Sequence, residues 1–78
     1  MKPSPRQLEV LQSIDRETRR FGYPPTIREL AELHGVASTN AIADVVGYLL
    51  AKGLVRKASR LARSLTLTDE GKSYLSEL

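Results

Sequence analysis

Signals that end one helix and begin the next follow each other closely within residues 22–42. Gly22 and the pair Pro24-Pro25 end a first helix, because glycine adopts the left-handed conformation and proline cannot continue a helix. Thr26 lies three residues before Glu29, which is the spacing of a capping box. The sequence therefore predicts that a second helix begins directly after the prolines.

The second helix is predicted to end at Gly35, as a left-handed residue just after the helix. Ser38 or Thr39 then caps a third helix, which continues to Gly53. Two helices joined by a short turn containing glycine are the arrangement of a helix-turn-helix.

The segment before this motif predicts another helix, capped by Ser4, with Pro5 in its first position and its end near Arg20. After Gly53 the apolar period changes. Residues 54–57 and 64–68 are predicted to form two strands of a β-hairpin. A last helix is predicted to begin at Thr68, with its apolar side supplied by Leu67, Tyr74, Leu75 and Leu78.

These elements predict a mainly α fold with a small β-hairpin. Three helices, a two-stranded wing and a short C-terminal helix form a winged helix-turn-helix, and residues 1–78 are expected to form a single domain.

Positive charge is concentrated in the predicted hairpin. The chain carries a net charge of +3, yet the segment from Lys52 to Arg63 holds five basic residues and no acidic one. The other positions hold seven basic and nine acidic residues. A basic hairpin beside a helix-turn-helix indicates a polyanionic partner, and double-stranded DNA is the expected one.

Base recognition is expected from the third helix, about residues 38–52, because the major groove admits one α-helix. Asn40 carries the donor and acceptor that match adenine, and Asp44 can accept from cytosine. The predicted base-reading residues are Ser38, Thr39, Asn40, Ala41, Ala43, Asp44 and Tyr48.

Other interpretations of the third helix stay open at this point. Ser38, Thr39 and Asn40 all favour helix starts, so capping alone accounts for them, and Asp44 fits an ordinary solvated surface. Gly47 permits a close approach of a partner, packs against another helix, or is simply tolerated.

Phosphate contacts are expected from the wing, residues 54–67, on phosphates or in the minor groove, and from the start of the second helix. A solubilising charged loop is the alternative for the wing, and an ordinary surface residue is the alternative for Arg28. The predicted phosphate-contacting residues are Thr26, Arg28, Lys52, Arg56, Lys57, Arg60 and Arg63.

Catalysis and metal binding have little support in the sequence. The chain has no cysteine, and His34 is its single histidine, so no metal site is expected. His34 is instead expected to interact with the dipole at the end of the second helix. No nucleophile–base pair and no glycine-rich phosphate loop is found, so we expect neither an enzyme nor a cofactor.

Several motifs resemble the N-terminal DNA-binding domain of LexA-type repressors. They are Arg6-Gln7-x-Glu9-Val10-Leu11, Gly22-Tyr23-Pro24-Pro25-Thr26-Ile27-Arg28-Glu29-Leu30, Gly35-Val36-Ala37-Ser38 and Leu50-Ala51-Lys52-Gly53-Leu54-Val55. The resemblance implies a winged helix-turn-helix repressor that acts at palindromic operators. It also implies base reading by residues matching Ser38, Asn40, Ala41, Ala43 and Asp44, where Ala43 and Asp44 replace two glutamates of one branch of the family.

The C-terminal part departs from that family. LexA repressors continue into a self-cleaving domain, for which this chain has neither an Ala-Gly bond nor room. Residues 67–72, Leu-Thr-Asp-Glu-Gly-Lys, instead resemble the strand-to-helix junction of MarR-like regulators. We therefore expect a LexA-like DNA-binding domain without the self-cleaving half.

The expected function is sequence-specific binding of double-stranded DNA by a cytoplasmic, nucleoid-associated transcriptional repressor. The alternative is a winged-helix protein-interaction module, such as an accessory or anti-repressor factor. A homodimer on a palindromic site is one expectation, with the terminal helix as its contact surface. Packing of that helix on the first helix of its own chain is the other.

Overall fold

Four helices and one short hairpin make up the part of the chain that the structure describes. The computed structural model describes residues 3–58 and 63–78. In chain order the elements are α1 (Pro5–Phe21), α2 (Ile27–Leu33), α3 (Thr39–Ala51), β1 (Val55–Arg56), β2 (Thr66–Leu67) and α4 (Asp69–Ser76). The predicted mainly helical fold with a small β-hairpin is confirmed.

The helix starts follow the predicted caps. Ser4, Thr26, Ser38 and Thr68 each accept a hydrogen bond from a backbone amide in the first turn of the following helix. Ser38, rather than Thr39, caps α3. The three predicted helix-ending glycines have positive φ angles, 80° at Gly22, 68° at Gly35 and 73° at Gly53.

The hydrophobic core lies where α1, α2 and α3 meet the inner face of the hairpin. Its fully buried side chains come from all three helices, as the apolar periodicity predicts. The largest of them are Leu11, Ile14, Leu30, Ile42, Leu49, Val10 and Val46.

The hairpin is shorter than predicted. Val55 pairs with Leu67 and Arg56 with Thr66 in an antiparallel register, so each strand contributes two residues. Beyond the ladder, the Ser64 hydroxyl accepts from the Ala58 amide at 3.0 Å and donates to the Ala58 carbonyl at 3.1 Å. Residues 57 and 64, which were predicted to belong to the strands, therefore lie outside the backbone ladder. The Ser64 side chain makes the hydrogen bonds across the hairpin there.

The junction between the hairpin and α4 is closely packed. The Thr68 amide donates to the Leu54 carbonyl at 3.1 Å, and the Thr68 hydroxyl donates to the Gly53 carbonyl at 2.6 Å. Gly71 is buried in the first turn of α4, with its Cα facing the Leu54 backbone. The end of α3 and the start of α4 are therefore held against each other.

Two polar side chains join α1 to the end of α2. Ser13 is only 2 % exposed, and its hydroxyl lies 2.9 Å from His34 Nε2. Arg16 donates to the same hydroxyl at 3.4 Å. His34 therefore contributes a side-chain contact between helices, which its position at the end of α2 alone does not predict.

The C-terminal helix lies against its own domain. Tyr74 and Leu75 are partly buried against the core, and Leu78 is exposed. Leu75 and Leu78 line a shallow depression together with residues of α1. Within residues 3–58 and 63–78, no helix is both long enough and apolar enough to cross a membrane.

Candidate nucleic-acid interface

The first turn of α3 presents polar side chains to solvent. Ser38 Oγ accepts from the Asn40 amide at 3.1 Å, so this hydroxyl caps the helix. Thr39 and Asn40 are exposed, and no hydrogen bond to the Asn40 side-chain amide is found within the described part of the chain. The amide that matches adenine is therefore available to a partner.

Small residues extend this exposed face along α3. Ala41, Ala43 and Asp44 are all exposed, which leaves a shallow surface one turn beyond Asn40. Gly47 lies on the same side, and a Cβ placed on it meets no atom within 4 Å. Packing of Gly47 against another helix is therefore ruled out for the described residues. The backbone at Gly47 is therefore open, which agrees with the close approach of a partner and equally with a glycine that is simply tolerated.

The end of α3 brings two predicted contact residues together. The Tyr48 ring is half-buried against the core, so part of it faces solvent. The Lys52 ammonium lies 5.6 Å from the centre of that ring, within the range of a cation–π contact. The tyrosine thus holds the lysine charge next to the exposed face of α3.

The start of α2 already holds a carboxylate. Glu29 Oε1 accepts from the Thr26 amide at 3.0 Å, while Thr26 Oγ1 accepts from the Glu29 amide at 3.1 Å. The predicted capping box is therefore present. The Glu29 carboxylate therefore occupies the Thr26 amide, and the Thr26 hydroxyl occupies the Glu29 amide, at a helix start that was predicted to hold a phosphate. Arg28, one position earlier, is exposed.

Arg63 joins the wing to the start of α2. Its Nη1 donates to Glu29 Oε1 at 2.8 Å and its Nη2 to Glu29 Oε2 at 2.7 Å. Nη1 also donates to the Pro24 carbonyl at 3.1 Å, and Arg63 Cζ lies 4.8 Å from the centre of the Tyr23 ring. Sequence reasoning placed Arg63 among the phosphate contacts and missed these partners, since no local pattern links residues 34 positions apart.

The ion pair changes the protonation behaviour of both groups. The hydrogen bond from Arg63, followed by that from the Thr26 amide, lowers the pKa of Glu29 to about 2. The Glu29 carboxylate in turn raises the pKa of Arg63 above its usual value. Glu29 is therefore ionised, and its pair with Arg63 is intact, throughout the physiological range of pH.

The remaining wing cations differ in their surroundings. Lys57 is exposed just beyond β1. Arg56 is also exposed, and it lines a shallow depression of about 220 Å³ that includes Asp15 of α1 and Lys72 of α4. Arg60, another predicted phosphate contact, lies outside the described residues. Arg56 and Lys57 are thus exposed to solvent, whereas the Arg63 guanidinium already has partners within the protein.

Within the described ranges, no three histidine, cysteine, aspartate or glutamate side chains come together in a metal-binding arrangement.

Three helices followed by a two-stranded wing, with a third helix that exposes one face and begins with a polar turn, define this chain as a winged helix-turn-helix protein. It belongs to the LexA DNA-binding domain family, which matches residues 1–64. The resemblance seen in the sequence motifs is thereby confirmed. The family is a DNA-binding domain of repressors and not an enzyme domain.

Similar proteins include several LexA repressors. The LexA repressor of Bacillus subtilis is 38% identical over 69 residues, which cover 88% of this chain and 34% of that protein. That of Myxococcus xanthus is 39% identical over 70 residues, covering 90% and 32% respectively. The LexA repressor of Anaeromyxobacter sp. is 40% identical over 70 residues, covering 90% and 30%. The chain spans about a third of the length of these relatives.

Proposed function

We propose that this chain recognises a specific double-stranded DNA sequence and represses transcription by occupying a promoter or operator. The observation that carries the proposal is the exposed face of α3, where Asn40, Ala41, Ala43 and Asp44 are open to solvent. A helix in the major groove needs such a face, with hydrogen-bonding groups that are not already used within the protein. Membership in a family of DNA-binding repressor domains supports the same function.

The proposed contacts divide into two groups. Ser38, Thr39, Asn40 and the small residues after them meet base edges, with Tyr48 at the border of the groove. Phosphates are held by Arg28, Lys52, Arg56 and Lys57. Thr26, at the start of α2, is a further proposed phosphate contact through its hydroxyl, although its amide is bonded to Glu29 and its hydroxyl accepts from the Glu29 amide. Gly47 allows the backbone of α3 to approach the groove closely.

One domain of this size contacts few base pairs, so specificity is expected to come from two copies on a palindromic site. This dimer is part of the proposal. The packing of Tyr74 and Leu75 against their own core favours a dimer arranged by the DNA over one that depends on α4.

The first test is a titration of DNA binding against salt concentration. Wild-type protein is titrated with fluorescent duplexes between about 50 and 300 mM NaCl, after an operator has been selected from random DNA. The logarithm of the affinity should fall linearly with the logarithm of salt. Lys57→Ala should weaken binding to every sequence and reduce the slope by about one.

A protein-interaction module predicts a different result. A groove of about 430 Å³ near the ends of α1 and α2 favours this alternative, because Phe21, Tyr23 and Leu33 are about half exposed there. In that case neither selected nor random DNA is bound, even at low salt. Recovery of a palindrome in the selection would instead support the repressor and its dimer together.

A further inference from the structure

Arg63 connects the wing to the helix-turn-helix through three kinds of contact. Its two outer nitrogens bond both oxygens of Glu29, one of them also bonds the Pro24 carbonyl, and the guanidinium lies over the Tyr23 ring. The partners belong to the turn after α1 and to the first turn of α2. A single side chain therefore links the wing to one segment, residues 23–29, that lies at least 34 positions earlier in the chain.

The described ladder of the wing is short. Within residues 54–58 and 63–67 it consists of two residue pairs, and hydrogen bonds between Ser64 and Ala58 join the strands beyond it. A two-stranded hairpin of this length is marginal without support from outside. Because Arg63 directly precedes Ser64, its contacts with α2 restrict where the wing lies relative to α3.

Resting on the DNA-binding function proposed above, we propose that Arg63 is a positioning residue. It holds the wing at a fixed distance from α2, so that Arg56 and Lys57 meet phosphates while α3 is in the groove. Arg63 itself is not a phosphate ligand in this proposal, because its charge is paired with Glu29, three of its five N–H donors are used by Glu29 and Pro24, and one face of its guanidinium lies on the Tyr23 ring.

A competing role makes opposite predictions. If Arg63 were a phosphate ligand held in reserve, DNA would displace Glu29 and take over the guanidinium. Removal of the Glu29 charge would then release Arg63 and tighten DNA binding. In the positioning role, the same removal loosens the wing and weakens binding.

Glu29→Gln is the decisive variant. Glutamine at this position still completes a capping box with Thr26, so α2 keeps its start while the charge for Arg63 is lost. Glu32→Gln is the matched control, since it removes one carboxylate from the same helix outside the pair. Arg63→Gln and Arg63→Lys complete the set, because lysine keeps the charge without the planar two-pronged geometry.

Affinity for the selected operator is measured for all variants over the same salt range as for wild type. Glu29→Gln, Arg63→Gln and Arg63→Lys should each weaken binding about two- to fivefold, the range expected for loss of an exposed pair. The double variant Glu29→Gln/Arg63→Gln should be no weaker than either single variant, and the salt slope should stay unchanged. Tighter binding by Glu29→Gln, or a slope lowered by about one in Arg63→Gln, would overturn the proposal.

Hydrogen exchange of the free protein tests the positioning role without DNA. Glu29→Gln should speed exchange at the Ala58 amide, which is bonded to Ser64, and leave the Thr68 amide at the base of the hairpin unchanged. Unchanged exchange at Ala58 would contradict the proposal. Failure of wild-type protein to bind any DNA would instead refute the proposed function and leave this measurement valid.

Discussion

Asn40 is the residue of α3 whose chemistry bears most directly on the proposed base recognition. Ser38 performs the capping that was predicted for Ser38 or Thr39, and the Asn40 side chain is exposed. An asparagine amide pairs with adenine through two hydrogen bonds. Asn40 therefore does not cap the helix, and its reading of a base stays a prediction.

Asn40→Ala should weaken binding to the selected operator by about 1–3 kcal/mol, the usual value of one bidentate base contact. Binding to random DNA should stay the same, because phosphate contacts are unaffected. Alanine also favours helix, so thermal unfolding should show no loss of stability. Equal weakening on operator and random duplexes would show that Asn40 does not read a base.

At the scale of elements, the helices could be predicted well from sequence because their boundaries are set by local groups. Each helix start is capped by a side chain that bonds an amide two or three residues ahead, and this spacing is visible in the sequence. The capping residues are Ser4, Thr26, Ser38 and Thr68. The strands are shorter than predicted. Alternation of apolar and polar residues does not show where the backbone ladder ends and a side chain such as Ser64 makes the hydrogen bonds instead.

Contacts between distant elements could not be predicted from the sequence. The pair of Arg63 with Glu29 and the bond between Ser13 and His34 depend on how distant segments pack. Gly71 is another example, because its sequence position suggests only a helix residue. Its Cβ would overlap the Leu54 carbonyl oxygen and lie 3.3 Å from Leu67 Cγ.

Gly71→Ala should therefore destabilise the protein although alanine is the better helix former. Overpacking against backbone costs about 1–3 kcal/mol, which exceeds the roughly 1 kcal/mol gained from helix propensity. Gly47→Ala is the control: its site is open, so it should stabilise the fold by up to about 1 kcal/mol. Urea unfolding of both variants measures the difference, and a stabilised Gly71→Ala would contradict the observed junction.

At the scale of the whole molecule, one ion pair joins the basic wing to the helical body. Positions outside the segment from Lys52 to Arg63 carry a slight excess of acidic residues, and one of these, Glu29, pairs with the last cation of that segment. The basic wing is thus attached to a less basic helical body by its own charge. Under the proposed function, a partner that carries many phosphates meets cations whose position is fixed by an internal carboxylate.

The same pair makes the stability of the molecule depend on acid. The pKa of Glu29 is lowered from 4.5 to about 2 in the folded chain, mainly by the hydrogen bond from Arg63. A lowered pKa means that the folded state favours the ionised carboxylate. The resulting stabilisation is complete above about pH 4.5 and is lost as pH falls towards about 2.

Thermal unfolding of wild type and of Glu29→Gln should be compared at intervals between pH 6 and pH 2. Glutamine does not titrate, so the variant lacks the stabilisation that wild type has at neutral pH. The Tm advantage of wild type should be constant above about pH 4.5 and shrink steadily between there and pH 2. Glu32→Gln controls for the loss of one carboxylate from α2. A Tm advantage over Glu29→Gln that persists undiminished at pH 2 would show that the contribution of Glu29 does not depend on its charge, and hence not on its ion pair with Arg63.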